Sequence, residues 1–95
     1  MNLRQLKAFQ AVCRTGSITR ASELIHLSQP ALTRQIQDLE SFCGCKLFER
    51  TRHGIVLTDE GELFRVRAEE MLSLAERTQR ELKEAGGFTL SLIHI

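Results

Sequence analysis

The chain has 95 residues, long enough for one small hydrophobic core and too short for two. Hydrophobic residues make up 42% and charged residues 26%, a globular balance that excludes wholesale disorder, and no run approaches the ~20 apolar residues of a membrane span. The formal net charge of +1 hides a split, because residues 1–57 carry eight bases against four acids and residues 58–95 carry five against eight, which suits the first part to phosphate backbones and the second to water and another protein helix.

Asn2 is placed to cap a first helix in which Leu3, Leu6, Phe9, Val12 and Cys13 form an apolar stripe, and Gly16 supplies a left-handed stop. Ser17 then caps a short second helix with Ile18, Ala21, Leu24 and Ile25 on one face, small Ala21 allowing close approach of a neighbour. His26 and Leu27 make a turn. Ser28 caps a third helix with Pro30 in its first turn, where a missing amide hydrogen is harmless. The arrangement predicts a helix-turn-helix.

In the third helix Leu32, Ile36, Leu39 and Cys43 repeat at spacings of four, three and four and mark the core side. Gln29, Pro30, Thr33, Arg34 and Gln37 lie opposite. Amides suit adenine, arginine suits guanine, and small apolar surfaces suit the thymine methyl, so this face has the chemistry of base reading. Asp38 and Glu40 come late, which fits a helix entering the major groove by its first turns. A merely solvated polar face is the bland alternative.

After Gly44, Leu47, Phe48 and Arg50 and then Ile55, Val56 and Leu57 form two short apolar runs around Thr51, Arg52, His53 and Gly54, predicting a small hairpin, or wing. Arg52, assisted by His53, makes its tip cationic, as a minor-groove or phosphate contact requires. Thr58 caps a long last helix with acids Asp59, Glu60 and Glu62 in its first turn. There Phe64, Ala68, Met71, Ala75, Thr78, Leu82 and Ala85 recur at alternating spacings of four and three, a heptad seam that wants another helix. The first turns can be met by the same domain, but the later ones protrude and point to a partner chain.

Three cysteines, Cys13, Cys43 and Cys45, form no paired spacing, which argues against a disulfide framework and for a reducing compartment. Cys43 and Cys45 lack the second cysteine pair of a zinc signature, and although His26 and His53 could be imagined completing a site, Cys13 and Cys43 read as small core residues with Cys45 incidental, so no metal and no cofactor is expected. No targeting segment precedes the first helix, and cytoplasmic placement with no membrane contact is expected. Phe88, Leu90 and Leu92 alternate as a strand would, while Ser91 to Ile95 fit either a strand cut short or foreign sequence.

In these residues the chain resembles the DNA-binding region of LysR-type regulators. The matching runs are Ser17 to Glu23, Ser28 to Ile36 with Leu39 and Glu40, and Gly44, Leu47, Phe48, Arg50, Thr51, Arg52, Gly54, Leu57, Thr58 and Gly61. The resemblance implies a mainly α fold: a winged helix-turn-helix over residues 1–58, a linker and dimerisation helix over 59–86, and a tail over 87–95. It also implies a homodimeric or tetrameric regulator that reads an interrupted palindrome in double-stranded DNA. Gln29, Pro30, Thr33 and Arg34 match the base-reading positions. Thr19, Ser28, Gln35 and Arg50 match backbone contacts, beside the wing-tip residues Arg52 and His53, and the heptad residues Phe64, Ala68, Met71, Ala75, Thr78 and Leu82 stand where a dimerisation seam is expected. His53 stands where arginine is frequent, and Cys43 where leucine is usual. A small-molecule effector is expected only in a further α/β region roughly twice as long as this chain.

The competing expectation is a helical dimerisation or adaptor module that binds protein instead of DNA. An enzyme is not expected, since the sequence offers neither a glycine-rich phosphate loop nor a clustered nucleophile and base.

Overall fold

The computed structural model describes the backbone of residues 1–94 and the side chains of residues 1–86. Three helices, α1 (Leu3–Thr15), α2 (Ile18–Leu24) and α3 (Gln29–Cys43), are followed by strands β1 (Phe48–Thr51) and β2 (Gly54–Leu57) and by α4 (Asp59–His94). Local chemistry sets each boundary. Asn2 and Gln5 form a reciprocal capping box at α1, Ser17 accepts from the Arg20 amide, and Ser28 accepts from the Ala31 amide with Pro30 in the first turn. Thr58 accepts from the Gly61 amide and so caps α4. Gly16 and Gly44 end α1 and α3 at φ 65° and 74°, the left-handed region that glycine enters without a Cβ clash. His26 adopts φ 58° in the turn between α2 and α3, a conformation in which histidine is better tolerated than most residues.

The strands form an antiparallel hairpin in which Phe48 pairs with Leu57 and Thr51 with Gly54, leaving Arg52 and His53 as its tip. Gly54 takes φ 128° and completes the reversal.

The core converges on Phe9, which is fully buried and touches two other aromatic rings: Phe48 of the wing at 5.1 Å and Phe64 of α4, edge-on, at 5.0 Å. Leu6, Val12, Leu32, Ile36, Leu39 and Leu47 complete it together with Ala8, Ala11 and Ala21. Two stripe residues depart from expectation. Leu3 is 49% and Leu24 53% exposed, because a helical stripe is covered only where another element lies over it, and both stand at the ends of their helices. Cys13, Cys43 and Cys45 are half-buried free thiols that pack against the core.

The linker helix differs most from the sequence reading. Phe64 and Ala68 belong to the chain's own core, Ala68 being 2% exposed, and Met71 packs against it. The first half of the expected dimer seam therefore serves as a lid over α1. Leu72, 6% exposed and outside the heptad spacing, joins that lid. The later seam residues Thr78 and Leu82 are exposed, with Ala75 half-covered between the two halves. The helix also runs on to His94, where a strand was expected over Phe88 to Leu92. No proline interrupts it, and glycines at 86 and 87 are too weak a stop for a helix already propagating through so many turns. The side chains that would make up that strand lie outside the described residues.

Candidate nucleic-acid interface

The helix-turn-helix and the wing share one face. An open groove runs between α2, the first turns of α3 and the hairpin, and Thr19, Gln29, Thr33, Arg50 and His53 all line it. Thr33 and Arg50 also bound a second groove that follows α3 toward Gln37 and Lys46. Five of the ten expected DNA-facing residues are thus drawn from three elements into one concavity. Pro30, Arg34, Ser28, Gln35 and Arg52 lie outside its lining. Arg34 is exposed on α3 and Arg52 on the wing tip, with Gln29 and Pro30 exposed at the start of α3. Ser28 is committed to capping α3, and Gln35 is half-buried beside the core stripe.

The electrostatics suit an anionic ligand. Arg20 and Arg50 border the groove, and Arg34 and Arg52 take part in none of the salt bridges among the described residues. The start of α3 adds the partial positive charge of a helix N-terminus, with no acid in its first turn to offset it. The hairpin tip is held by its own hydrogen bonds: the Thr51 hydroxyl donates to the Gly54 carbonyl at 3.2 Å and accepts from the His53 amide at 3.2 Å.

Glu40 was read from the sequence as a late surface acid on α3. It is instead 9% exposed. Its Oε2 accepts from the amides of Leu47 at 2.7 Å and Phe48 at 3.3 Å, and its Oε1 lies 3.8 Å from Lys46 Nζ. Helical position alone offers no signal for this, since the partners lie seven and eight residues away across the Gly44 turn.

Among the described residues no three histidine, cysteine, aspartate or glutamate side chains stand close enough to hold a metal ion. Burial raises the Cys13 thiol from 9.0 to about 11, against a lowering influence from Arg65, so it remains a protonated core group. Burial also raises the Cys43 thiol, with Cys45 and Glu40 adding to the effect and the N-terminal ammonium opposing it. No helix among the described residues is long and apolar enough to cross a membrane.

Residues 3–62 match the family model described as the bacterial regulatory helix-turn-helix protein, lysR family. The chain is 47% identical over 85 residues to the HTH-type transcriptional regulator TfdT of Cupriavidus pinatubonensis, covering 90% of this chain and 37% of that protein. Over its whole length it is 37% identical to the HTH-type transcriptional regulator YdcI of Escherichia coli, covering 31% of that protein. The chain thus spans about a third of the length of these curated relatives. Among solved structures, the crystal structure of a CbnR DBD–DNA complex superposes with a TM-score of 0.86 at 42% identity, over 90% of this chain and 99% of that one. A BenM DBD complex with catB site 1 DNA gives 0.85 at 36% identity, over 90% and 97%.

Proposed function

The chain belongs to the LysR family of bacterial regulatory helix-turn-helix proteins, and from that membership we propose that it binds duplex DNA sequence-specifically as a homodimer and thereby regulates transcription in the cytoplasm. One observation carries the reading: the exposed polar start of α3, the groove beside it and Arg50 of the wing lie together, in a fold that relatives present in complexes with DNA. Such a face offers two kinds of contact at once. Gln29, Pro30, Thr33 and Arg34 enter the major groove and read base edges, with Arg34 suited to the two acceptors of guanine. Thr19, Gln35 and Arg50 hold the phosphate backbone, Ser28 adds the hydroxyl hydrogen that its capping of α3 leaves free, and Arg52 with His53 reaches the adjacent minor groove. Helix dipole and guanidinium charge act on the same side, so association weakens as salt rises. The adaptor alternative is not favoured, since solved relatives present this fold in complexes with DNA.

The dimer seam of this reading is narrower than heptad spacing suggests. With Phe64 and Ala68 occupied by the chain's own core, the partner helix is assigned to the adjoining stripe. Leu63 is 61% exposed, Val66 43%, Leu74 53% and Leu82 67%. At 3.6 residues per turn Leu63 and Leu74 fall together beside the buried stripe, whereas Val66 lies nearly opposite it and outside the seam. Leu82 continues the buried stripe beyond the body of the domain.

The test is selection of bound sequences from a random duplex pool at two salt concentrations. An enriched interrupted palindrome whose binding falls steeply with salt is the expected result. A folded dimer that enriches no sequence overturns the reading.

A further inference from the structure

We propose that Glu40 is a positioning residue that holds the wing where Arg52 can engage DNA, an inference that rests on the DNA-binding reading above. Among the described residues, Glu40 is the one side chain of α3 that hydrogen-bonds the chain entering the wing. Its buried carboxylate takes two amide hydrogens, from Leu47 and Phe48. Bonds of that kind are charge-assisted and roughly twice as strong as neutral ones. The same short segment is gripped from its other side. The Leu47 carbonyl accepts from the Thr58 amide at 3.0 Å, and the Lys46 carbonyl accepts from the Thr58 hydroxyl at 2.7 Å. Gly61 closes the junction, because a Cβ there would run into the Leu47 carbonyl oxygen. The base of the hairpin is thus fastened to the recognition helix on one side and to the start of α4 on the other.

The wing needs such fastening. Two strands of four residues each have little stability of their own in water. Arg52 lies four residues beyond Phe48, roughly 13 Å along an extended strand, so a tilt of about 10° at the base displaces the tip by roughly 2 Å, enough to break a directed contact. Removing the carboxylate leaves two amide hydrogens unpaired at the hinge of that lever. Loss of Glu40 should therefore abolish the contribution of Arg52 while sparing that of Arg34, which sits on the helix itself.

The test is a set of double-mutant cycles on the full chain, with affinity measured for the palindrome selected by the wild type and folding checked by circular dichroism. In the wild-type background Arg52→Ala should weaken binding roughly tenfold, the scale of one lost arginine contact. In the Glu40→Ala background the same change should weaken it by less than about twofold, the margin within which independent effects normally combine. Arg34→Ala should keep its full effect in both. Glu40→Gln, which retains an oxygen able to accept both amides, should restore the tenfold effect of Arg52→Ala. If Glu40→Ala does not fold, Glu40→Asp, whose carboxylate falls short of the amides, takes its place. An undiminished Arg52 effect in the folded variants, or Arg34 and Arg52 effects that shrink together, overturns the inference and leaves the DNA-binding reading standing. A wild-type protein that enriches no sequence overturns that reading itself.

Discussion

Replacing Leu74 and Leu82 together with glutamate should separate the dimer without unfolding the protomer. Leu74 is 53% and Leu82 67% exposed in the single chain. Complete burial of a leucine side chain stabilises by ~1.5 to 3 kcal/mol, so covering half to two-thirds of each contributes about 1 kcal/mol or more per residue. A two-fold interface uses each residue twice, which brings the pair to at least about 4 kcal/mol, or roughly a thousandfold in the dimerisation constant. Glutamates buried against a partner helix add a desolvation cost in the same direction. Sedimentation equilibrium over a wide concentration range, with circular dichroism as the folding control, reads the effect. Ala68→Glu is the contrasting variant, since Ala68 is 2% exposed inside the protomer's own core and a carboxylate there should unfold the domain. A double variant that dimerises as tightly as the wild type, or that unfolds as Ala68→Glu does, refutes the assignment of the seam.

Two further outcomes follow from the site and the core. Arg34→Ala should lose about 1 to 3 kcal/mol of binding and relax preference at one base position, read by competition among single-base variants of the selected palindrome; an unchanged preference means Arg34 touches only phosphate. The pH dependence follows from Cys13, whose thiol rises from 9.0 to about 11 on burial. The folded state keeps the proton that the unfolded chain releases above 9.0, so the stability contributed is full below that pH and is lost as pH climbs toward 11. The gap between wild type and Cys13→Ala in urea unfolding midpoint should therefore shift against the wild type between pH 8.5 and 10.5, and a constant gap contradicts it.

Much of the fold is legible because its boundaries are local. Asn2, Ser17, Ser28 and Thr58 cap the helices expected of them, and Gly16 and Gly44 stop theirs, since a cap needs only a side chain and amides three residues on. Periodicity is less complete. It finds which side of a helix is apolar but not which element covers it, so Leu3 and Leu24 were read as buried and the first turns of α4 were left open between the chain's own core and a partner. Glu40 was invisible for a related reason. An acid late in a helix is usually solvated, and only the turn at Gly44, bringing the Leu47 and Phe48 amides back to it, makes burial favourable. The groove of the candidate interface was legible as residue types but not as a shape. Thr19, Thr33 and Arg50 meet because α2, α3 and the wing all pack on Phe9 and its neighbours, which no single stretch of sequence encodes.

The division of α4 has a mechanical consequence. Its first half is core, with Phe64 stacked edge-on to Phe9 and Ala68 and Leu72 buried, so the helix cannot swing against the body without opening that core. Its start is also tied to the base of the wing through Thr58 and Gly61. α3, the wing and the first half of α4 therefore form one unit, whose interior is close-packed and yields little to small forces. In a symmetric dimer, the separation and angle of the two recognition helices are then set where the exposed halves of α4 meet. On the proposed function, reading of bases and measuring of half-site spacing are separate tasks that would both rest on a single core centred on Phe9.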